Sequence, residues 1–241
     1  MPGQRLIVEG KDDVHVIWHV LQRSVLSTHI KTGAEKANEE TPNGEGIYVA
    51  SPVSTSTDES GGWRSLVDLA RIGEIFVGRW SALGFVVDSD SPNHSSRPWP
   101  ALREALRKTW KDIPDEVPVD GLVLSATGGL PRLGVWVMPS PGSTGNIEDF
   151  LLASLPADEP RLKLAIRVVD TDLRALNPDD MTFDTLRAKR LAHTWLAWSQ
   201  SPGRPLGLAV KANLFPIDSA AVKAFTGWAR QLFEVPVLGP A

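Results

Sequence analysis

The chain has 241 residues, 42% apolar and 22% charged, with a formal net charge of −4. That is the balance of an ordinary globular protein with a sizeable core, built as one domain or as one domain with an appendage. The charge excludes a general basic footprint for nucleic acid, and the absence of cysteine excludes disulfides, zinc–thiolate sites and cysteine nucleophiles.

The opening residues Met1 to Arg5 carry neither the charged nor the apolar segment of a signal peptide. No apolar run approaches the ~20 residues that span a bilayer. The expectation is a soluble protein of the reducing cytoplasm, with no membrane partner. Leu6 to Val8 form an apolar run without alternation, as in a buried strand. Glu9 and Gly10 end it, and Asp12 or Asp13 offers an acceptor for the free N–H groups of a following helix. That helix carries an apolar stripe of Val14, Ile17, Trp18 and Leu21, continued by Val25. His15 and His19 lie four apart on a neighbouring face; such a pair can bind a metal, but with no third ligand near it reads as surface or packing.

Residues 31–46 are polar and loop-like, Ile47 to Ala50 read as a strand, and Ser51 to Gly62 read as a loop rich in Ser, Thr and Gly. A helical pattern is predicted from Trp63 to Trp80 through Leu66, Leu69, Ile72, Ile75 and Phe76. Phe85 to Val87 form the next buried strand, ending in Asp88-Ser89-Asp90. Pro98 or Pro100 suits the first turn of a helix that runs through Leu102 and Leu106 to about Trp110. Strands follow at Gly121 to Ser125 and Leu133 to Met138, then a loop from Ser140 to Asn146 and a helix opened by Ile147-Glu148-Asp149. Strand–helix alternation of this kind predicts an α/β fold with a mostly parallel sheet covered on both faces. The remainder reads as helices at Arg161 to Leu176, Phe183 to Ser199 and Ser219 to Phe233, interrupted by Pro202-Gly203-Arg204-Pro205. The expected division is an α/β core over 1–155 and a helical extension over 156–241 packed on it as one compact unit. Most of the nine Trp sit among apolar residues at helical spacing, which suits core packing.

Glu9, Asp88, Asp90 and the pair Glu148-Asp149 each follow a predicted strand or open the loop after one. In a parallel sheet such ends share one edge, where open α/β sheets bind ligands. Carboxylates gathered there repel unless a cation or protons neutralise them, and oxygen ligands suit Mg²⁺ or Mn²⁺ rather than zinc. Taken singly, each acid also fits a cap, a solvated loop residue or a partner for a helix dipole.

The run Leu6 to Asp13 followed by a helix, with Val86-Val87-Asp88-Ser89-Asp90 downstream, resembles the Toprim domain of topoisomerases, primases and nucleases of the OLD family. The chain is similar more closely, and over most of its length, to the uncharacterised Toprim-like family DUF3226. Val8 to Asp13, the Asp-x-Asp strand, Trp136 to Pro139 leading to Gly145 to Leu151, and the Lys189 to Trp198 helix before Pro202-Gly203 carry that likeness. The resemblance implies a Toprim-like fold with Mg²⁺ or Mn²⁺ held by Glu9, Asp88 and Asp90, with Glu148 as a further ligand. It also implies Glu9 as ligand or general acid/base, and cleavage of a phosphodiester in DNA or RNA.

Lys11 beside Glu9 suits contact with a phosphate, or is a solvated turn lysine. Lys189 and His193, with Arg187 and Arg190, suit a phosphate backbone or form a solvated helix face. Trp195 and Trp198 suit packing of that helix better than stacking on bases. Tyr48 is the only tyrosine and carries no nucleophile motif, and the sequence shows neither a primase zinc module nor the P-loop of the ATPase that accompanies the OLD nucleases, which argues against a topoisomerase and a canonical primase. The other expectations left open are a non-catalytic Toprim-like module binding nucleic acid or a protein, and a phosphatase of small esters. A homodimer or a partner from a defence or repair system belongs to the same set.

Overall fold

The computed structural model describes residues 3–24, 46–52, 62–73, 77–89 and 98–235. Asp90, Val25, Ile75, Phe76, most of the 31–46 stretch and most of the Ser51 to Gly62 loop lie outside those residues.

Five strands form one sheet: β1 (Gly3–Ile7), β2 (Ile47–Ala50), β3 (Trp80–Asp88), β4 (Leu122–Leu124) and β5 (Arg132–Met138), in the order β2-β1-β3-β5-β4. All neighbouring pairs are parallel except β4, which runs antiparallel on the edge beside β5. The α/β expectation of a mostly parallel, two-sided sheet is met. Alternate side chains feed two cores, as the period of two along a strand requires. Leu6, Val8, Val86, Trp136 and Met138 point to one side, and Ile7, Phe85, Val87, Val135 and Val137 to the other.

The first side is covered by α1 (Lys11–Gln22) and α9 (Ala220–Phe233), with α4 (Ile147–Leu152), α7 (Arg187–Ala197) and α8 (Leu206–Lys211) in the same core. The second side is covered by α2 (Gly62–Arg71) and α3 (Pro98–Arg107). Helix α9 comes unusually close to the sheet. Gly84 and Gly134 are paired across β3 and β5. A methyl group at either would fall within 2.8 Å of the Leu232 side chain, so the two glycines make the seat for that helix. Val222, Phe225, Trp228, Leu232 and Phe233 are buried there, each worth about 1.5–3 kcal/mol relative to exposure.

The remaining helical run is α5 (Pro160–Arg167), a π-helical turn (Val168–Leu173) and α6 (Arg174–Leu176), which together match the expected Arg161 to Leu176 helix. Two sequence expectations need correction. The helix expected from Trp63 to Trp80 stops at Arg71, and Trp80 instead starts β3. Gly73 lies against Thr109, just past α3, where a methyl would be 1.8 Å from Oγ1, and Gly78, two residues before β3, has a φ of 71°. Trp80 is buried under the Arg5 guanidinium, 4.5 Å from its ring centre. Helix α8 was not expected, because Gly207 inside it is a poor helix former. It serves contact instead: a methyl there would meet His15 Cβ of α1 at 2.5 Å. His19 is buried in the same α1–α8 packing and touches Trp18, which bears out the packing reading of the His15/His19 pair. Among the described residues no helix is long and apolar enough to cross a membrane.

Candidate functional site

Strands β1, β3 and β5 are consecutive neighbours and parallel, so the segments leaving their carboxyl ends share one edge. Glu9 leaves β1, Asp88 closes β3, and Glu148 opens α4 after β5. The first two meet directly: Glu9 Oε1 accepts the backbone N–H of Asp88 at 2.8 Å. The next N–H, of Ser89, is shared between the carbonyls of Met138 at 3.1 Å and Gly145 at 3.0 Å. That bond ties the end of β3 to the end of β5 and to the loop before α4.

Two helix starts frame the edge with the same device. In α4, Asn146 Oδ1 accepts the N–H groups of Glu148 at 3.1 Å and Asp149 at 3.2 Å, while Asp149 Oδ2 accepts the N–H of Asn146 at 3.0 Å. This is a reciprocal capping box, and its Asn-x-x-Asp spacing is a signal that the sequence carries. In α1, Gly10 has no side chain to give, and only the return half is made, with Asp13 Oδ2 accepting the Gly10 N–H at 2.9 Å. Asp13 therefore meets the expected need for an acceptor from inside the first turn. Gly145 fits this arrangement because its φ is 139° and a methyl would lie 2.4 Å from Asp149 Oδ2.

Asp13 and Glu148 are electrostatic neighbours. Burial pushes the Asp13 carboxyl up to about 6; the Gly10 N–H holds it down, Glu148 and Asp12 raise it, and Lys189 lowers it. Burial likewise raises Glu148, opposed by its own backbone N–H, by Lys189 and by His193. Burial raises Asp149 too, with the Asn146 N–H and Arg187 opposing. The edge thus gathers one buried acid, Glu148, and two half-buried ones, Asp13 and Asp149. Among the described residues, however, no three His, Asp or Glu side chains form a group able to hold a metal ion. Asp90 is not among the described residues. Lys11 is the first residue of α1 and exposed, as is Asp12.

The cationic run of α7 divides. Arg187 makes a two-pronged pair with Asp170 at 2.8 and 2.6 Å. Arg190 pairs with Asp180 at 2.6 Å and lies 4.6 Å from the Phe183 ring centre. These two are held in ion pairs, whereas Lys189 and His193 are exposed and act electrostatically on Glu148. Trp195 is buried, as the packing expectation requires, donating its indole N–H to Glu159 Oε2 at 2.8 Å, and Trp198 is 40% exposed. The sequence reads Asp13 as a cap and Lys189 with His193 as a phosphate-binding or solvated face; it does not show that α7 packs on α4, where Lys189 and His193 act on Glu148.

No curated protein and no solved structure matches the chain. The motifs that meet at this edge start at β1 and run to α7, and a single family model spans them all. Residues 3–234 match the family described as Protein of unknown function (DUF3226), and the chain belongs to that family.

Proposed function

We propose that this chain is a Toprim-like, Mg²⁺- or Mn²⁺-dependent protein that cleaves phosphodiesters in DNA or RNA. The observation that carries the reading is the hydrogen bond from the Asp88 backbone N–H to Glu9 Oε1 at 2.8 Å, which ties the Glu9 carboxylate to the end of the neighbouring parallel strand that carries Asp88. Glu9 and Asp88 would hold the ion together with Asp90, which the Asp-x-Asp pattern of the sequence supplies, and Glu148 stands at the same edge as a further candidate. A divalent cation there supplies charge that polarises a phosphate and stabilises the oxygens of the displacement.

The protein's own contribution is orientation. The Asp88 N–H fixes the Glu9 carboxyl, whose remaining roles are ligation or proton transfer. The Asn146–Asp149 capping box fixes the start of α4 and so the Glu148 backbone. Lys11, exposed at the first turn of α1, would be the group that meets a phosphate there.

The test is a cleavage assay of purified protein with Mg²⁺ or Mn²⁺ on single-stranded DNA, duplex DNA and RNA, run beside a panel of small phosphate esters. The reading expects metal-dependent cleavage of a nucleic acid, abolished in Asp88→Asn. Cleavage of small esters alone would turn it into a phosphatase. Activity surviving intact in Asp88→Asn would assign the cleavage to a contaminant and defeat the proposal.

A further inference from the structure

Helix α7 presents three stripes. Ala188, Leu191, Ala192, Trp195 and Leu196 are buried. At 3.6 residues per turn, Lys189 and His193 lie along one flank of that stripe and Arg187 and Arg190 along the other. The second flank is already satisfied, by Asp170 and Asp180. On the first flank, among the described residues, neither Lys189 nor His193 makes an ion pair or a hydrogen bond, and both are exposed. Their charges act on Glu148, and that of Lys189 also on Asp13. Helix α7 packs on α4, so the flank borders the carboxylate edge.

A lysine whose only purpose was solvation gains nothing by standing beside buried acids, and one whose only purpose was to neutralise them would close onto a carboxylate. A cation beside the acids and open to water is suited to an anion that must come close to them. We propose that Lys189 and His193 form a two-point grip on the nucleic-acid phosphodiester backbone, seating a phosphate against the Glu9–Asp88–Glu148 edge. The ammonium supplies a mobile point charge, and an imidazole N–H donates a hydrogen bond to a phosphate oxygen. These are substrate-binding residues, and the inference rests on the function proposed above for the same edge.

The test is fluorescence anisotropy with fluorescein-labelled single-stranded DNA, duplex DNA and RNA of one sequence, with Ca²⁺ replacing Mg²⁺ to hold off cleavage. The variants are Lys189→Met, His193→Gln, the double variant, and Lys223→Met on α9 as a distant exposed control. Circular dichroism checks that each is folded. Each single variant should bind roughly 3–10-fold more weakly and the double variant more weakly still, with Lys223→Met unchanged. Lys189→Met should also lower the slope of log affinity against log salt by about 0.7–0.9, the loss of one phosphate contact. The three probes identify which backbone is held.

A double variant that binds like the wild type overturns the inference, as does a wild type that binds none of the probes. Cleavage with binding indifferent to both substitutions leaves the hydrolase reading standing and removes the grip. Binding that depends on Lys189 without any cleavage supports the grip and removes the hydrolase.

Discussion

Asp13 holds two roles that pull in opposite directions. Its carboxylate accepts the Gly10 N–H at the start of α1, which favours the charged form, yet it sits in a buried place beside Glu148, which favours the neutral one. Burial wins, and the group rises from 3.8 to about 6. Because the folded value lies above the unfolded one, folding takes up a proton between about pH 4 and 6. Stability therefore falls as pH rises through that window. The loss is at most ~3 kcal/mol, and less where water screens the group. Asp13→Asn keeps an acceptor for Gly10 and removes the charge, so its stability should overtake that of the wild type as pH climbs from 4 to 7. Urea unfolding at several pH values in metal-free buffer measures this, and parallel curves for the two proteins would refute it. Little of this was legible in the residues alone. A short acid after a strand end reads as a cap, and the burial that raises it comes from packing, with Glu148, 135 positions away, adding to it. The same holds for Arg187, Lys189, Arg190 and His193, which form one charge run in sequence and two unlike flanks in space.

Among the elements, α5 and α7 are joined through one carboxylate. Glu159 caps α5 by accepting the Leu162 N–H, accepts the Trp195 indole N–H at 2.8 Å, and pairs with Arg161 at 2.8 Å. Its side chain is only 14% exposed. Burial alone would push its carboxyl up, but those donors hold it below the usual range. Glu159→Ala removes a cap and strands a buried indole N–H, at a cost of about 2–4 kcal/mol. For a chain of this size that is a drop of roughly 5–10 °C in melting temperature. Glu159→Gln, which keeps an acceptor, should recover part of it. A thermal melt of Glu159→Ala within a degree of the wild type would show that the link carries no weight. Element types were readable where one period ran uninterrupted, as in β1, β5 and α9. Between Trp63 and Trp80 the helical spacing continues through Ile72, Ile75 and Phe76 in the sequence, whereas the helix ends at Arg71 and Trp80 opens β3. Helix α8 was hidden because its reason for existing is the close approach of Gly207 to His15, a contact no local pattern records.

At the scale of the whole molecule, the order β2-β1-β3-β5-β4 matters most. It makes neighbours of the three strands whose ends carry Glu9, Asp88 and the loop to Glu148, residues spread across 140 positions. The sequence showed that acids end strands. It did not show that those strands are adjacent, because strand order depends on how the crossovers pack. Paired glycines at 84 and 134 let α9 settle onto the back of those strands and hold them in place, while α7 brings its cations round to the edge. The divalent-metal site proposed at this edge is tested by calorimetric titration of Mn²⁺ into the metal-free protein. A site there gives saturable binding in the wild type that is lost in Asp88→Asn and weakened in Glu9→Gln, with the variants still folded. No binding heat in the wild type, or equal affinity in all three proteins, would contradict it.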